Sequence, residues 1–259
     1  MKISVLVDNI AGGKTEAEHG LSYLVEHQNK KVLFDTGQSS LFLKNAATMG
    51  ADLSNLEAIV LSHGHFDHGN GLEYLSGGRL ICHPGCFVKR YRKADHAYIG
   101  LKETKALLEA KFDLTATMEP LRIFDGLYFL GEVPRVTDFE SKSTSFVLDS
   151  DIPDFVMDDS AIAIMLEQGL FVVTGCGHSG IVNTLEHART VTGESRIYGI
   201  MGGFHLKKAD RQTAETIDYL KKNNVQHVLP SHCTELPALS EFYREFDFNM
   251  VKTGNILNF

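Results

Sequence analysis

The chain has 259 residues, 43% of them hydrophobic, and this size and composition predict one large domain with a substantial core. Its 25 basic and 33 acidic residues give a net charge of −8, so we expect it to bind neither nucleic acid nor an anionic membrane. No apolar run has the length of a membrane span, and the run after Lys2 meets Asp8 too early for a signal peptide. The four cysteines lack a zinc-ribbon spacing, which favours a reduced, cytoplasmic protein.

Short apolar runs alternate with helical patterns in the first part of the chain, and this order predicts layered α/β structure. The tripeptide Gln28-Asn29-Lys30 separates two of these runs and is a hairpin signal. Gly50 marks the predicted end of a helix. In chain order, the pattern predicts strands at residues 2–8, 20–27, 31–35, 56–61 and 79–83, and helices at 40–49 and 72–75.

Residues 84–120 are the least regular segment, with a helical pattern only at 104–112. We predict that this segment is a helical lid insertion over a binding cleft, because such loops commonly set specificity on a fixed scaffold. Its basic residues fit a solvated charged face and an anion-binding lid equally well. They are Lys89, Arg90, Arg92, Lys93, Lys102 and Lys105.

The second half of the chain repeats the organisation of the first, with hairpin signals at Asp125-Gly126 and at Glu167-Gln168-Gly169. A sheet with helices is therefore predicted for each half. The pattern predicts two strands within 121–130, further strands at 143–148, 160–166, 170–174, 196–201 and 226–229, short strands near Gly254, and helices at 181–191, 210–222 and 236–246.

Three imidazoles and a carboxylate occur within six residues, at His63, His65, Asp67 and His68, directly after the apolar run 56–61. Neighbouring glycines give the backbone the freedom to bring these four donors together. Neutral imidazole and carboxylate are typical ligands of zinc and similar divalent ions. A polar loop that merely contains histidines is the weaker interpretation, because the combination is specific as a motif.

His178 is a second candidate ligand, because it lies in a glycine-rich turn between a strongly apolar strand and a helix. The N–H groups at the start of that helix would suit an anion or an oxyanion. His205 and His232 also follow predicted strands. For His178 and His232, an ordinary structural histidine is the alternative interpretation.

The motif HxHxDH, formed by His63, His65, Asp67 and His68, resembles the first metal motif of the metallo-β-lactamase superfamily. The further stretches DTG, LSHGHFDHGNGL, MDDSAI, TGCGHSGIVN, GGFHL and PSHCT resemble one branch, the dihydropterin ribofuranosyl-aminobenzene phosphate synthase-like metal-dependent hydrolases. The resemblance implies an α/β fold of four layers, an αβ/βα sandwich formed as a single domain over residues 1–259.

The resemblance also implies a set of metal ligands. His63, His65 and His178 would bind one divalent ion, and Asp67, His68 and His232 a second. Asp35, in the DTG stretch, would support the motif from behind, although a simple strand-ending turn is an alternative for Asp-Thr-Gly. Zinc is the expected metal, with iron, manganese and nickel as alternatives.

Two positions depart from the superfamily pattern. Cys176 stands where relatives bridge the metals with an aspartate, and it is either a thiolate ligand or a bystander. Asp159 stands near the place of a histidine in other relatives, so it is a metal ligand, a substrate contact or a strand-start carboxylate. For His205 we favour a buried, hydrogen-bonded supporting residue over a metal ligand.

These features predict a hydrolase in which two metals activate a hydroxide, with Asp67 orienting it or receiving its proton. The expected substrate is a small anionic molecule that is phosphate-bearing or pterin-like. A synthase that condenses a pterin with a ribosyl-aminobenzene phosphate is the first alternative. A non-catalytic metal or redox sensor that uses Cys176 is the second. Homo-oligomerisation is left open.

Overall fold

Two mixed β-sheets, each with its own helices, account for most of the chain. The computed structural model describes residues 1–259, the side chain of Ser150 excepted. The first unit comprises Met1–Met118, Ser145–Asp154 and Val251–Phe259, and the second unit comprises Glu119–Thr144 and Phe155–Met250. The single domain over residues 1–259 suggested by the sequence stays a prediction beside this division.

Most of the predicted elements are present, several with shifted bounds. The helices lie at Leu41–Met49 (α1), Phe66–Gly69 (α2), Lys105–Lys111 (α3), Ile181–Thr192 (α4), Arg211–Lys222 (α5) and Leu236–Glu245 (α6), with 3₁₀ turns at Asn70–Tyr74, Pro84–Phe87 and Asp149–Asp151. The strands lie at Lys2–Val7 (β1), Ser22–His27 (β2), Lys30–Phe34 (β3), Ala58–Val60 (β4), Arg79–Cys82 (β5), Arg90–Arg92 (β6), Asp113–Ala116 (β7), Leu121–Phe124 (β8), Leu127–Phe129 (β9), Phe146–Leu148 (β10), Ala161–Leu166 (β11), Gly169–Thr174 (β12), Ile197–Gly203 (β13), His227–Ser231 (β14) and Ile256–Asn258 (β15). None of the described helices is both long enough and apolar enough to cross a membrane.

The sheet of the first unit has the strand order β15-β1-β2-β3-β4-β5-β7. Strands β15 to β3 are antiparallel neighbours, whereas β3, β4, β5 and β7 run parallel. The β2–β3 hairpin turns at Gln28 and Asn29, whose φ angles of 51° and 60° suit a type I′ turn. Phe42 and Ala46 of α1 join the strand side chains in the core. Because parallel strands end at one edge, the segments after β3 and β4 meet there.

The segment 84–120 contains more sheet than its sequence suggests. Strand β7 pairs with β5 at the edge of the main sheet, and β6 pairs with β10 in a separate two-stranded ribbon. Both strands are short and rich in polar residues, so their patterns are weak. Leu108 and Phe112, in and just after α3, are buried in the core of the first unit. The covering role of the segment stays a prediction.

Four of the six basic residues in that segment face carboxylates of the same unit. Arg92 lies 2.6 Å from Asp95, Lys102 lies 2.7 Å from Glu73, and Lys105 lies 3.3 Å from Glu109. The buried Arg90 lies 3.4 Å from Asp154. For the exposed Arg92, Lys102 and Lys105, these pairs favour the charged-face interpretation over the anion-binding one. Arg90 is buried and so does not belong to a solvated face.

The sheet of the second unit has the order β14-β13-β12-β11-β9-β8. Strands β12, β13 and β14 run parallel, whereas β11, β9 and β8 are antiparallel neighbours. The helices α4, α5 and α6 cover its apolar side chains with Leu185, Leu220 and Phe242. The parallel strands end at one edge, which brings the segments after β12, β13 and β14 together.

The N-terminus of α4 differs from its predicted role as an anion site. The carboxylate of the buried Glu140 accepts hydrogen bonds from the backbone N–H groups of Val182 at 2.8 Å and Asn183 at 2.9 Å. The hydroxyl of Thr137 donates to the same carboxylate at 3.1 Å. Gly180 is needed beside it, because a Cβ there would lie 2.4 Å from the Glu140 Cδ atom. The prediction is therefore corrected: the chain's own carboxylate occupies this helix terminus.

Burial raises the pKa of the Glu140 carboxyl above its ordinary 4.5, although the hydrogen bonds from Val182, Asn183 and Thr137 act in the opposite direction. The folded chain therefore keeps this proton to a higher pH than the unfolded chain does. The stability contributed by the protonated form is fully present below pH 4.5 and is lost as pH rises through the raised value.

We predict that Glu140→Ala lowers the free energy of unfolding by about 1–3 kcal/mol at neutral pH, because two buried N–H donors lose their acceptor. Urea denaturation measures this, with Glu167→Ala, in the exposed β11–β12 turn, as the control. Glu140→Gln cannot ionise, so its free energy of unfolding does not carry this pH dependence. The amount by which it falls below that of the parent should shrink as pH rises above 4.5, because only the parent loses stability there. Equal stability of the two alanine variants would contradict the capping role.

Candidate metal centre

The first unit brings the four motif residues together at the end of β4. His63 and His65 lie on the connection after this strand, and Asp67 and His68 lie in the short helix α2. All four are buried, with exposures between 0% for His63 and His68 and 5% for His65 and Asp67. Buried histidines and a carboxylate at this density need compensating partners or a cation.

The rings of His63 and His65 converge on one point. His63 Nε2 lies 2.9 Å from His65 Nδ1. Ser62 Oγ lies 2.7 Å from a carboxylate oxygen of Asp35 and 2.9 Å from His63 Nδ1. Because the serine donates its only proton to the carboxylate, its oxygen accepts the proton of His63 Nδ1. In this assignment His63 Nε2 carries no proton, which is the form of an imidazole nitrogen that can bind a metal.

Asp35 holds this arrangement from behind the motif. Its carboxylate accepts hydrogen bonds from the Ser62 backbone N–H at 2.7 Å, from Ser62 Oγ at 2.7 Å and from His68 Nδ1 at 2.7 Å. Its φ angle is +56°, a left-handed conformation that aspartate adopts more readily than most residues. These contacts are those of a supporting residue, and they fix the orientation of the His68 ring.

Asp67 lies between two imidazoles of the first unit. One of its carboxylate oxygens is 3.7 Å from His68 Nε2 and 3.1 Å from Nε2 of His19. His19 is largely exposed, and no motif in the sequence singles it out. The carboxylate therefore has neighbours that can share or relay a proton.

Glycines allow the close backbone packing around these residues. A Cβ on Gly64 would lie 2.0 Å from the carbonyl oxygen of Cys86, and a Cβ on Gly71 would lie 2.1 Å from that of Thr36. The Thr36 N–H in turn donates to the carbonyl oxygen of His68 at 2.7 Å. Any larger residue at these glycines would displace the segments that hold the histidines.

In the second unit, His178 lies in the turn between β12 and α4, and Asp159 supports that turn. An Asp159 carboxylate oxygen accepts a hydrogen bond from the Ser179 N–H at 2.8 Å. Burial raises the pKa of this carboxyl to about 6. The ring centres of His178 and His205 are 4.2 Å apart. The observed contact gives Asp159 a structural role, and its predicted contact with metal or substrate stays a prediction.

Cys176, His205 and Cys233 form a second cluster in this unit, with their donor atoms within 4.8 Å of one another. Burial opposes ionisation of the Cys233 thiol, but its contacts with Cys176 and His205 and the nearby His232 hold its pKa well below the ordinary range. His205 and the buried His232 both have left-handed backbones, with φ of 49° and 50°. Such strained residues commonly occur at functional sites.

Sequence reasoning missed three residues of these clusters: His19, Ser62 and Cys233. Ser62 directly precedes the motif, and its position at a strand end was the available signal. Cys233 directly follows His232. Its proximity to Cys176 arises because β12 and β14, which are far apart in the sequence, both pair with β13. The imidazoles and the carboxylate of the first unit suit zinc and related divalent ions. Ser62 and Asp35 contact the Nδ1 atoms of His63 and His68, respectively, and so fix the orientation of both rings.

Comparison with known proteins places this chain in a family. The model of the metallo-beta-lactamase superfamily matches residues 15–191. An uncharacterized protein of Methanocaldococcus jannaschii is 36% identical over 263 residues, which cover 98% of this chain and 99% of that protein. The 7,8-dihydropterin-6-methyl-4-(beta-D-ribofuranosyl)-aminobenzene-5'-phosphate synthase of the same organism is 32% identical, and the match covers 100% of this chain and 97% of the synthase.

A crystal structure gives the same result for the fold. Tm1679, described as a metal-dependent hydrolase of the beta-lactamase superfamily, is 31% identical with a TM-score of 0.88, over 100% of this chain and 99% of that one. A diphosphatase of the PhnP family shares the fold at 15% identity, with a TM-score of 0.57. The predicted α/β fold class is confirmed, and the chain belongs to the metallo-β-lactamase superfamily.

Proposed function

We propose that this chain is a metal-dependent hydrolase that binds two divalent metal ions, with zinc as the first choice. The ligands in this proposal are His63, His65 and His178 for one ion and Asp67, His68 and His232 for the other. The four buried motif residues of the first unit carry the proposal, because Asp35 and Ser62 fix the orientation of His63 and His68 within them. Membership of the superfamily and similarity to a metal-dependent hydrolase support it.

Two divalent cations would lower the pKa of water and stabilise negative charge on a scissile ester. The residues of the chain supply the remaining functions. Asp35 and Ser62 hold the two histidines in the required tautomers. Asp67 is placed to accept a proton at its carboxylate oxygen, and His19, 3.1 Å away and exposed, can pass that proton to solvent.

For the substrate we propose a small anionic molecule that bears a phosphate or resembles a pterin. The predicted anion site at the start of α4 no longer supports this proposal, because Glu140 occupies that terminus. The support is instead the pair of cations and the relative whose name specifies a pterin-containing 5'-phosphate product.

A condensing synthase is the second candidate, because the synthase relative is 32% identical over the whole chain. The two candidates differ in the bond that changes. A hydrolase consumes water and breaks an ester. A synthase forms a C–N bond between the pterin 6-methyl carbon and the aminobenzene nitrogen, with a leaving group lost from that carbon and a proton lost from the nitrogen. The protein is incubated with a pterin and a ribosyl-aminobenzene phosphate together, and separately with phosphodiesters, lactones and thioesters. Mass spectrometry of the products then distinguishes a synthase from a hydrolase.

We predict at least two metal ions per chain in protein purified without added metal, because these six donors suffice for two incomplete shells with water. His63→Ala and His232→Ala should each lower this content, as measured by elemental analysis. His96→Ala, at an exposed histidine outside the clusters, is the matched control and should leave it unchanged. One ion or none in the parent, unaffected by His232→Ala, would contradict a binuclear site.

We also predict that Asp35→Asn weakens metal binding by about 10–100-fold, because the amide cannot hold His68 and Ser62 as the carboxylate does. Competition with a coloured chelator measures the affinity, and Asp125→Asn, in the exposed β8–β9 turn, is the control. Thermal unfolding of the metal-free variants separates lost affinity from lost folding. Parental affinity in a folded Asp35→Asn variant would remove the supporting role.

A further inference from the structure

We propose that Cys176, His205 and Cys233 form a sulfur-rich site for a soft or borderline divalent metal ion, with zinc preferred. All three residues belong to the second unit, and their donor atoms lie within 4.8 Å of one another. None of them is among the six ligands of the proposed hydrolase.

The topology of the sheet creates the cluster. Strands β12, β13 and β14 are parallel neighbours, in the register Thr174↔Gly202 and Gly203↔Ser231. They end at Thr174, Gly203 and Ser231, so Cys176, His205 and Cys233 each lie two residues beyond the end of their strand. Three adjacent strands thus present one donor each at the same edge, with His205 level with Cys233 and Cys176 offset by one residue.

The backbone around Cys233 is arranged for its sulfur. The His205 N–H donates a hydrogen bond to Cys233 Sγ at 3.3 Å, a contact that favours a thiolate. In the thiol form, Cys233 donates to the carbonyl oxygen of Cys176 at 3.4 Å. Gly203 leaves the necessary space, because a Cβ there would lie 2.6 Å from this sulfur. Cys176 is buried and Cys233 is half-buried, so the sulfurs are largely shielded from solvent.

The donor chemistry defines the ion. Two thiolates and one imidazole match a tetrahedral zinc site with three protein ligands and one open position. Thiolates discriminate against magnesium and calcium, which prefer oxygen donors.

The experiment uses cobalt(II) as a spectroscopic substitute for zinc in the full-length chain. Cobalt bound to thiolate sulfur gives an intense near-ultraviolet charge-transfer band, whereas cobalt bound only by histidine and carboxylate does not. The variants are Cys176→Ser, Cys233→Ser, the double variant and His205→Gln. Cys82→Ala, which removes a thiol of the first unit, is the matched control. Far-ultraviolet circular dichroism verifies that each variant is folded.

We expect the band in the parent and the control, about half its intensity in each single serine variant, and none in the double variant. His205→Gln should retain the band but weaken cobalt affinity. A parent without the band would overturn the proposal, as would a band unaffected by Cys233→Ser. A Cys176–Cys233 disulfide in freshly purified, metal-free protein would overturn it too. His63→Ala should leave the band intact, because it removes none of the three ligands of this site.

Discussion

The buried carboxylate of Asp35 is the interaction on which the motif depends. It accepts three hydrogen bonds, from the Ser62 N–H, the Ser62 hydroxyl and the His68 ring. Ser62 passes the orientation on to His63, so a single carboxylate sets the tautomers of two histidines. A buried charge of this kind is tolerated only when its oxygens are fully satisfied, and this requirement makes the geometry of the loop rigid.

The second unit follows a related principle with different residues. Its functional candidates lie just beyond three parallel strands, where the backbone of His205 and His232 turns through left-handed conformations. The sheet stabilises these strained residues by fixing the chain on both sides of each turn. Asp159 holds the His178 turn through the Ser179 N–H, as Asp35 holds the turn after β4. In each unit, a buried aspartate thus orders a segment that carries a histidine.

The position of Glu140 limits which groups of the chain can bind an anion. The start of α4 has the free N–H groups that would suit a phosphate, but this carboxylate accepts two of them. Basic side chains of the segment 84–120 are likewise engaged, with Arg90, Arg92 and Lys102 facing carboxylates. Binding of an anionic substrate would therefore rely mainly on the metal ions, and specificity would depend on the shape of the surrounding loops.

The sequence by itself determined the local features: the metal motif, the hairpins, the main helices and the superfamily, because these depend on short-range spacing and periodicity. It did not reveal β6 and β7, whose short polar patterns become strands only when a neighbouring strand is present. The partner of the α4 terminus and the Cys176–His205–Cys233 cluster were decided by tertiary structure alone. Glu140 lies some 40 residues from the amides it caps, and the cluster joins three strands, so only the folded sheet brings these groups together.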